Sequence, residues 1–194
     1  GFDFYAPQTF SDGRRRLLIG WMGMPDADYS NPTAAQGWQH CLTVPREVTC
    51  RDGRLLLTPV QELEALRTSR YGFPFGGSST TDLPPAADIR VTCEGPLSLD
   101  LSGVSLRAAD GALTLTVREG GWGRERRTAP AGPLRNLRIL ADTSALEIFV
   151  NDGEAVLSTR WYPESDSRTL TLRGQGRAVV DSLRPLQIEK PVLP

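Results

Sequence analysis

The second half of the chain alternates. Leu97 to Leu101 reads Leu-Ser-Leu-Asp-Leu, and Leu113 to Val117 reads Leu-Thr-Leu-Thr-Val. A period of two sends one set of side chains into a core and the other into water, as in antiparallel sheets. Further strand-like runs follow at residues 137–140, 145–150, 155–161, 169–172 and 178–183. Asp110-Gly111 and Asn151-Asp152-Gly153 sit between such runs as tight hairpin turns, because Gly supplies positive φ without a Cβ clash. Seven or more short strands separated by turns predict a β-sandwich.

The first half is strand-rich as well. Residues 15–21 form a short apolar run, and residues 42–50 and 54–58 flank the hairpin signal Arg51-Asp52-Gly53. Between Trp21 and Trp38 lies a polar stretch with Pro25, Asn31-Pro32 and Gly37. It reads as a loop, and loops of that length in compact domains are often functional. One helix is predicted over 59–67, with Pro59 in its first turn and Val60, Leu63 and Leu66 on one face. Residues 69–85, rich in Gly, Ser, Thr and Pro, read as a linker or an irregular crossing strand and mark the domain boundary.

Charge narrows the partners. Lys+Arg total 22 against 23 Asp+Glu, and a near-neutral chain lacks the positive field that nucleic acid or an anionic membrane requires. Lys190 is the only lysine, which reads as compositional bias. No apolar run is long enough to cross a bilayer as a helix. Cys41, Cys50 and Cys93 have no metal-like spacing; a Cys41–Cys50 bridge is open, but an odd count favours free buried thiols.

Four blocks, in order, carry a resemblance: Asp3-Phe4-Tyr5-Ala6-Pro7-Gln8-Thr9-Phe10; Leu18-Ile19-Gly20-Trp21-Met22-Gly23; Gly37-Trp38-Gln39-His40 with Leu42-Thr43-Val44-Pro45-Arg46-Glu47; and Leu146-Glu147-Ile148-Phe149-Val150-Asn151-Asp152-Gly153-Glu154. Together they resemble glycoside hydrolase family 32, the β-fructosidases, with details most like the bacterial sucrose and sucrose-6-phosphate hydrolases. The resemblance implies an all-β fold. Residues 1–58 are expected to be the last strands of an incomplete five-bladed β-propeller, 59–69 a linker helix, and 70–194 a jelly-roll-like β-sandwich of two antiparallel sheets.

The resemblance also implies chemistry. The family cleaves fructosides with retention, using one carboxylate as nucleophile and a second as acid and base. Its Asn-Asp-Pro, Arg-Asp-Pro and Glu-Cys motifs are absent from this chain. The chain opens like the inside of an active-site strand, so it is expected to be the C-terminal portion of a larger enzyme whose catalytic residues lie upstream of Gly1. No catalytic residue, metal ligand or cofactor is expected within it. The implied substrate is sucrose, sucrose 6-phosphate or a fructan, and the implied location a bacterial cytoplasm. Exposed propeller strands are expected either to pair with another copy of the chain, as a homo-oligomer, or to pack back on the sandwich.

Site candidates follow from the same blocks. Tyr5 and Asp3 share strand parity and are expected to face the fructose subsite together, or else to form a buried pair supporting the blade. Trp21 ends an apolar strand and offers a flat face to a sugar ring, with Trp38 and His40 closing the same loop. His40 is the only histidine, a poor basis for a metal site. Arg46 and Glu47 are expected in a structural salt bridge at the junction. Arg14, Arg15, Arg16, Arg124, Arg126 and Arg127 are expected on solvated surface, as are the loop acids Asp26 and Asp28. The alternative reading is a carbohydrate-binding or oligomerisation module presenting Trp122 and Trp161.

Overall fold

The computed structural model describes residues 1–185. Its first sheet is an antiparallel meander of β1 (Tyr5–Ser11), β2 (Arg16–Met22), β4 (Arg46–Arg51) and β5 (Arg54–Pro59), with the two-residue β3 (Cys41–Leu42) also paired to β2. Four strands in meander order are the plan of one propeller blade. The run predicted over 42–50 is broken into β3 and β4 around Pro45, which has no N–H for the ladder. Asp52 and Gly53, at φ 51 and 74, make the predicted turn between β4 and β5.

The predicted helix over 59–67 is a short 3₁₀ turn, Gln61–Leu66. Pro59 is still inside the ladder, opposite Arg46, so too few residues remain to offset helix nucleation. Of the two readings of 69–85, the crossing strand is the one that forms: residues 69–83 lie within the 17-residue strand β6 (Arg67–Leu83), so the second sheet begins inside the expected 59–69 connection.

Ten strands make that second sheet: β6, β7 (Ala87–Cys93), β8 (Leu97–Leu101), β9 (Val104–Ala109), β10 (Ala112–Val117), β11 (Arg126–Pro130), β12 (Asn136–Ala141), β13 (Ala145–Val150), β14 (Ala155–Arg160) and β15 (Arg168–Leu183). Two runs expected as separate strands, 169–172 and 178–183, are one strand, β15. Its first half pairs with β8 and its second half with β7. β15 therefore passes from one layer of the sandwich to the other, and β6 follows it along its whole length. The corner falls where Gly174 faces Gly77 and Gln175 faces Gly76; such corners need a bend in the strand that switches sheets.

Between the layers lies one core. Leu97, Leu99, Leu101, Leu113, Leu115 and Val117 meet Ile89, Val91, Leu137, Ile139, Leu146 and Ile148, the inward halves of the alternating runs. Trp161, proposed as an exposed sugar platform, is fully buried here. Trp122 is exposed, as expected. The three thiols are free, but Cys50 is exposed and the other two half-buried, which corrects the expectation of buried thiols.

The corner gives a stability test. A Cβ on Gly176 would lie 2.0 Å from the Thr92 carbonyl oxygen, whereas one on Gly132 meets nothing within 4 Å. Gly176→Ala is expected to destabilise by about 3 kcal/mol or more, and Gly132→Ala to stay within about 0.5 kcal/mol, measured by urea unfolding.

Candidate functional site

Tyr5 opens β1 opposite Trp21 in β2. Between Tyr5 and Gln8 the register shifts, and Ala6 takes φ 44, left-handed and just before Pro7. Non-glycine residues adopt that conformation only when the surroundings enforce it, and bulges of this kind re-aim a neighbouring side chain. The shift falls directly after Tyr5, which is about half exposed, as is Phe10 further along β1.

Three rings form a row. Tyr5 lies edge-on to Trp21 with centroids 6.0 Å apart, and Trp21 lies edge-on to His40 at 4.7 Å. Gly23 makes room: a Cβ there would come within 2.7 Å of the His40 ring and 2.8 Å of Trp21. The pKa of His40 is lowered, chiefly by burial and then by the Arg160 cation, with Arg124 adding to this and Asp3 opposing it. The imidazole is held toward its neutral form, which suits hydrogen bonding more than charge pairing. Trp38 is exposed beside the row, with the Arg160 guanidinium 5.1 Å from its ring.

Asp3 does not share the exposure of Tyr5. It precedes β1, so strand alternation does not govern it, and it is fully buried. Arg124 donates from Nε to Asp3 Oδ2 at 2.8 Å and from Nη2 to Oδ1 at 2.9 Å, and the Arg160 backbone N–H adds a third bond at 2.7 Å. Arg124 also donates to the carbonyls of Ser30 and Gly121 and to Asn31 Oδ1. All five guanidinium N–H groups are thereby used. This corrects the expectation that Arg124 lies on solvated surface: it is fully buried, whereas Arg126 and Arg127 are exposed.

A second pair runs the other way. Arg46, buried in the blade, bonds Glu147 of β13 and donates to Ser158 Oγ of β14 at 2.6 Å. The Val44 N–H donates to the other Glu147 oxygen at 2.6 Å. Burial raises the Glu147 pKa while Arg46 lowers it, and burial prevails. The expected junction salt bridge is present, but its acid is Glu147, and Glu47 makes no ion pair among the described residues. Nearby, Gly153 packs so closely on β5 that a Cβ would lie 2.3 Å from the Leu57 carbonyl oxygen. The fourth sequence block is thus the sandwich edge that meets the blade. Among the described residues no group of three metal-ligating side chains gathers, and no helix is long and apolar enough to cross a membrane.

The all-β blade seated on the sandwich thus carries an aromatic row, with Tyr5 and Trp21 on its first two strands and His40 in the loop before β3. Comparison with known proteins identifies the family. The glycosyl hydrolases family 32 N-terminal domain matches residues 1–59, and the family 32 C-terminal domain matches 94–188. The chain belongs to glycoside hydrolase family 32. It is 44% identical over 176 residues to a sucrose-6-phosphate hydrolase of Klebsiella pneumoniae, a match covering 84% of this chain and 35% of the relative. A raffinose invertase of Escherichia coli is 36% identical over 190 residues, covering 89% of this chain and 39% of the relative. The chain thus spans well under half the length of the curated relatives it matches.

Solved structures bear out the fold. A sucrose-6-phosphate hydrolase from Lactobacillus gasseri superposes with a TM-score of 0.82 at 22% identity, over 95% of this chain and 42% of that one. A Bombyx mori β-fructofuranosidase gives 0.78 at 24% identity, over 95% and 41%. The architecture is the propeller-plus-sandwich of these enzymes, all-β as the sequence implied.

The buried pair tests the junction. Arg124→Met leaves the Asp3 carboxylate buried without its cation and is expected to cost about 3–5 kcal/mol. The paired change Asp3→Asn with Arg124→Met should recover part of that, measured by thermal and urea unfolding.

Proposed function

We propose that the chain is the C-terminal part of a β-fructofuranosidase, and that it contributes one wall of the fructoside site and no catalytic carboxylate. The observation that carries this is the row Tyr5–Trp21–His40, exposed at Tyr5 and half-buried at Trp21 and His40, on a blade whose supporting acids are already committed to arginines. Tyr5 and Trp21 are the residues that touch sugar; Asp3, buried beneath them, holds the strand. Sucrose or sucrose 6-phosphate is the favoured substrate class, in keeping with the names of the relatives. One homologous structure, a Bombyx mori enzyme variant, holds sucrose.

The reaction in this reading is retaining glycoside hydrolysis. A carboxylate attacks the fructosyl carbon, and a second protonates the leaving oxygen and later activates water. The chain has no Asn-Asp-Pro or Arg-Asp-Pro sequence to supply the nucleophile or the sugar-holding acid. Domains divide in this reading into a blade over 1–58, a connection over 59–69 and a sandwich from 70 onward. A bacterial cytoplasmic location belongs to the same reading, supported by the unpaired thiols.

Sucrose hydrolysis tests it. The chain alone is expected to release no fructose above buffer, because enzymes supply about 10⁶-fold or more and the groups that do so are missing. Co-expression with the upstream propeller strands of a family 32 relative is expected to restore turnover. In that complex Trp21→Ala is expected to lower kcat/KM about tenfold, equivalent to ~1.4 kcal/mol of lost ring contact. Turnover by the chain alone, or an unaltered kcat/KM in the Trp21 variant, would sink the reading.

Self-association follows from the blade's surface. Tyr5, Phe10, Met24, Trp38, Leu42 and Leu55 are exposed there, against only Tyr71 and Trp122 among the large apolar side chains elsewhere in the described residues. Exposed apolar groups gathered on a sheet with free edges favour pairing. Light scattering is expected to show a dimer or larger species, and a clean monomer at micromolar concentration would count against it.

A further inference from the structure

The aromatic row lies on the blade, yet both of its ends are tied to one residue of the sandwich. Arg160, the last residue of β14, is fully buried. Its backbone N–H donates to Asp3 Oδ2 at 2.7 Å, two residues before Tyr5. Its side chain donates from Nη1 to the carbonyl of Gln39 at 3.0 Å, one residue before His40. The guanidinium is itself fixed by Ser144, through Nε to the carbonyl at 2.8 Å and Nη2 to the hydroxyl at 3.0 Å. It is flanked by the rings of Trp38 and Tyr162, 5.1 and 5.2 Å from its Cζ. Arginine's planar fork suits such a post because its donors are set at fixed angles.

From this geometry we infer that Arg160 is a positioning residue by which the sandwich sets the Tyr5–Trp21–His40 wall. The inference rests on the reading of that row as the fructoside-facing wall. Asp3 and Gln39 lie in segments 36 positions apart in the sequence, and Arg160 bonds both. The backbone of Arg160 holds Asp3 and its side chain holds Gln39, so the guanidinium sets where the segment carrying His40 stands against Trp21. The sandwich then does more than support the blade: it sets the shape of a sugar-facing surface to which it contributes no ring of its own. Lysine cannot replace this role, since a single ammonium cannot hold Gln39 and Ser144 in a planar fork.

His40 reports on the row directly, because it is the only histidine and gives one Hε1 line in the proton NMR spectrum of the chain as it stands. Trp21, edge-on at 4.7 Å, displaces that line by its ring current. The charged groups acting on His40 are Arg160, Asp3 and Arg124. In Arg160→Met the ring-current displacement is expected to be lost, and the titration midpoint to rise toward that of a free histidine. In Arg160→Lys, kept for the case that the methionine variant does not fold, the cation remains and the midpoint should stay low while the displacement falls. Gly23→Ala, which crowds His40 and Trp21 directly, should move the line with Arg160 intact.

An unchanged line and midpoint in Arg160→Met, or an unchanged line in Arg160→Lys, would overturn the inference. The readout contains no sugar. Its failure therefore leaves the fructoside reading standing, and failure of the hydrolysis experiment leaves the positioning role standing.

Discussion

The structure depends on buried guanidinium groups that cross between blade and sandwich in both directions. Arg46 leaves the blade to reach Glu147, and Arg124 leaves the sandwich to reach Asp3. Removing four charges from water is costly, and attraction within each pair does little more than offset that cost. What the pairs provide is direction. Apolar faces can slide past one another by a residue with little penalty, whereas Arg124 has five donors and five acceptors placed for one arrangement only. A displaced interface would strand charges in a medium that cannot solvate them. The blade is therefore oriented by ion pairs and held by apolar burial.

Much of the sandwich was legible because strand alternation is a local signal. Leu97–Leu101 and Ala112–Val117 bury the residues their period marks. What failed to show was whatever depended on distance. β15 reads as two strands because Gly174 and Gly176 interrupt its propensity, yet those glycines are what let one strand serve two layers. β6 reads as either a linker or an irregular crossing strand because Gly, Pro, Ser and Thr dominate it. Its strand character comes from pairing with β15 about a hundred positions later in the chain.

The same contrast holds at the site. Tyr5 and Trp21 stood out within the blocks that carry the family resemblance, and their rings lie edge-on to each other. The partners of Asp3 and Arg46 were not legible, since Arg124 and Glu147 lie 121 and 101 positions away. One clue was present: Glu147 interrupts the apolar run Leu146-Glu147-Ile148-Phe149, and an acid in such a place needs a buried partner. Arg124 gave no such sign. It sits beside Gly123 after Gly120-Gly121-Trp122, a setting that reads as an exposed turn, and only the contact with residues 3, 30 and 31 buries it.

These commitments bear on what the chain can do. A retaining glycosidase needs two carboxylates free to attack and to trade protons. Asp3, beneath the aromatic row, has its oxygens taken by Arg124 and a backbone N–H and no exposed surface. Glu147, the other buried acid of the junction, is closed off by Arg46 and Val44. Neither has the access that general acid–base chemistry requires. The strain at Ala6, the close approach at Gly23 and the fork of Arg160 all act instead on where the rings of Tyr5, Trp21 and His40 stand. The physical effort in this part of the fold goes into fixing where three rings stand, and both buried acids of the junction are spent on holding blade to sandwich.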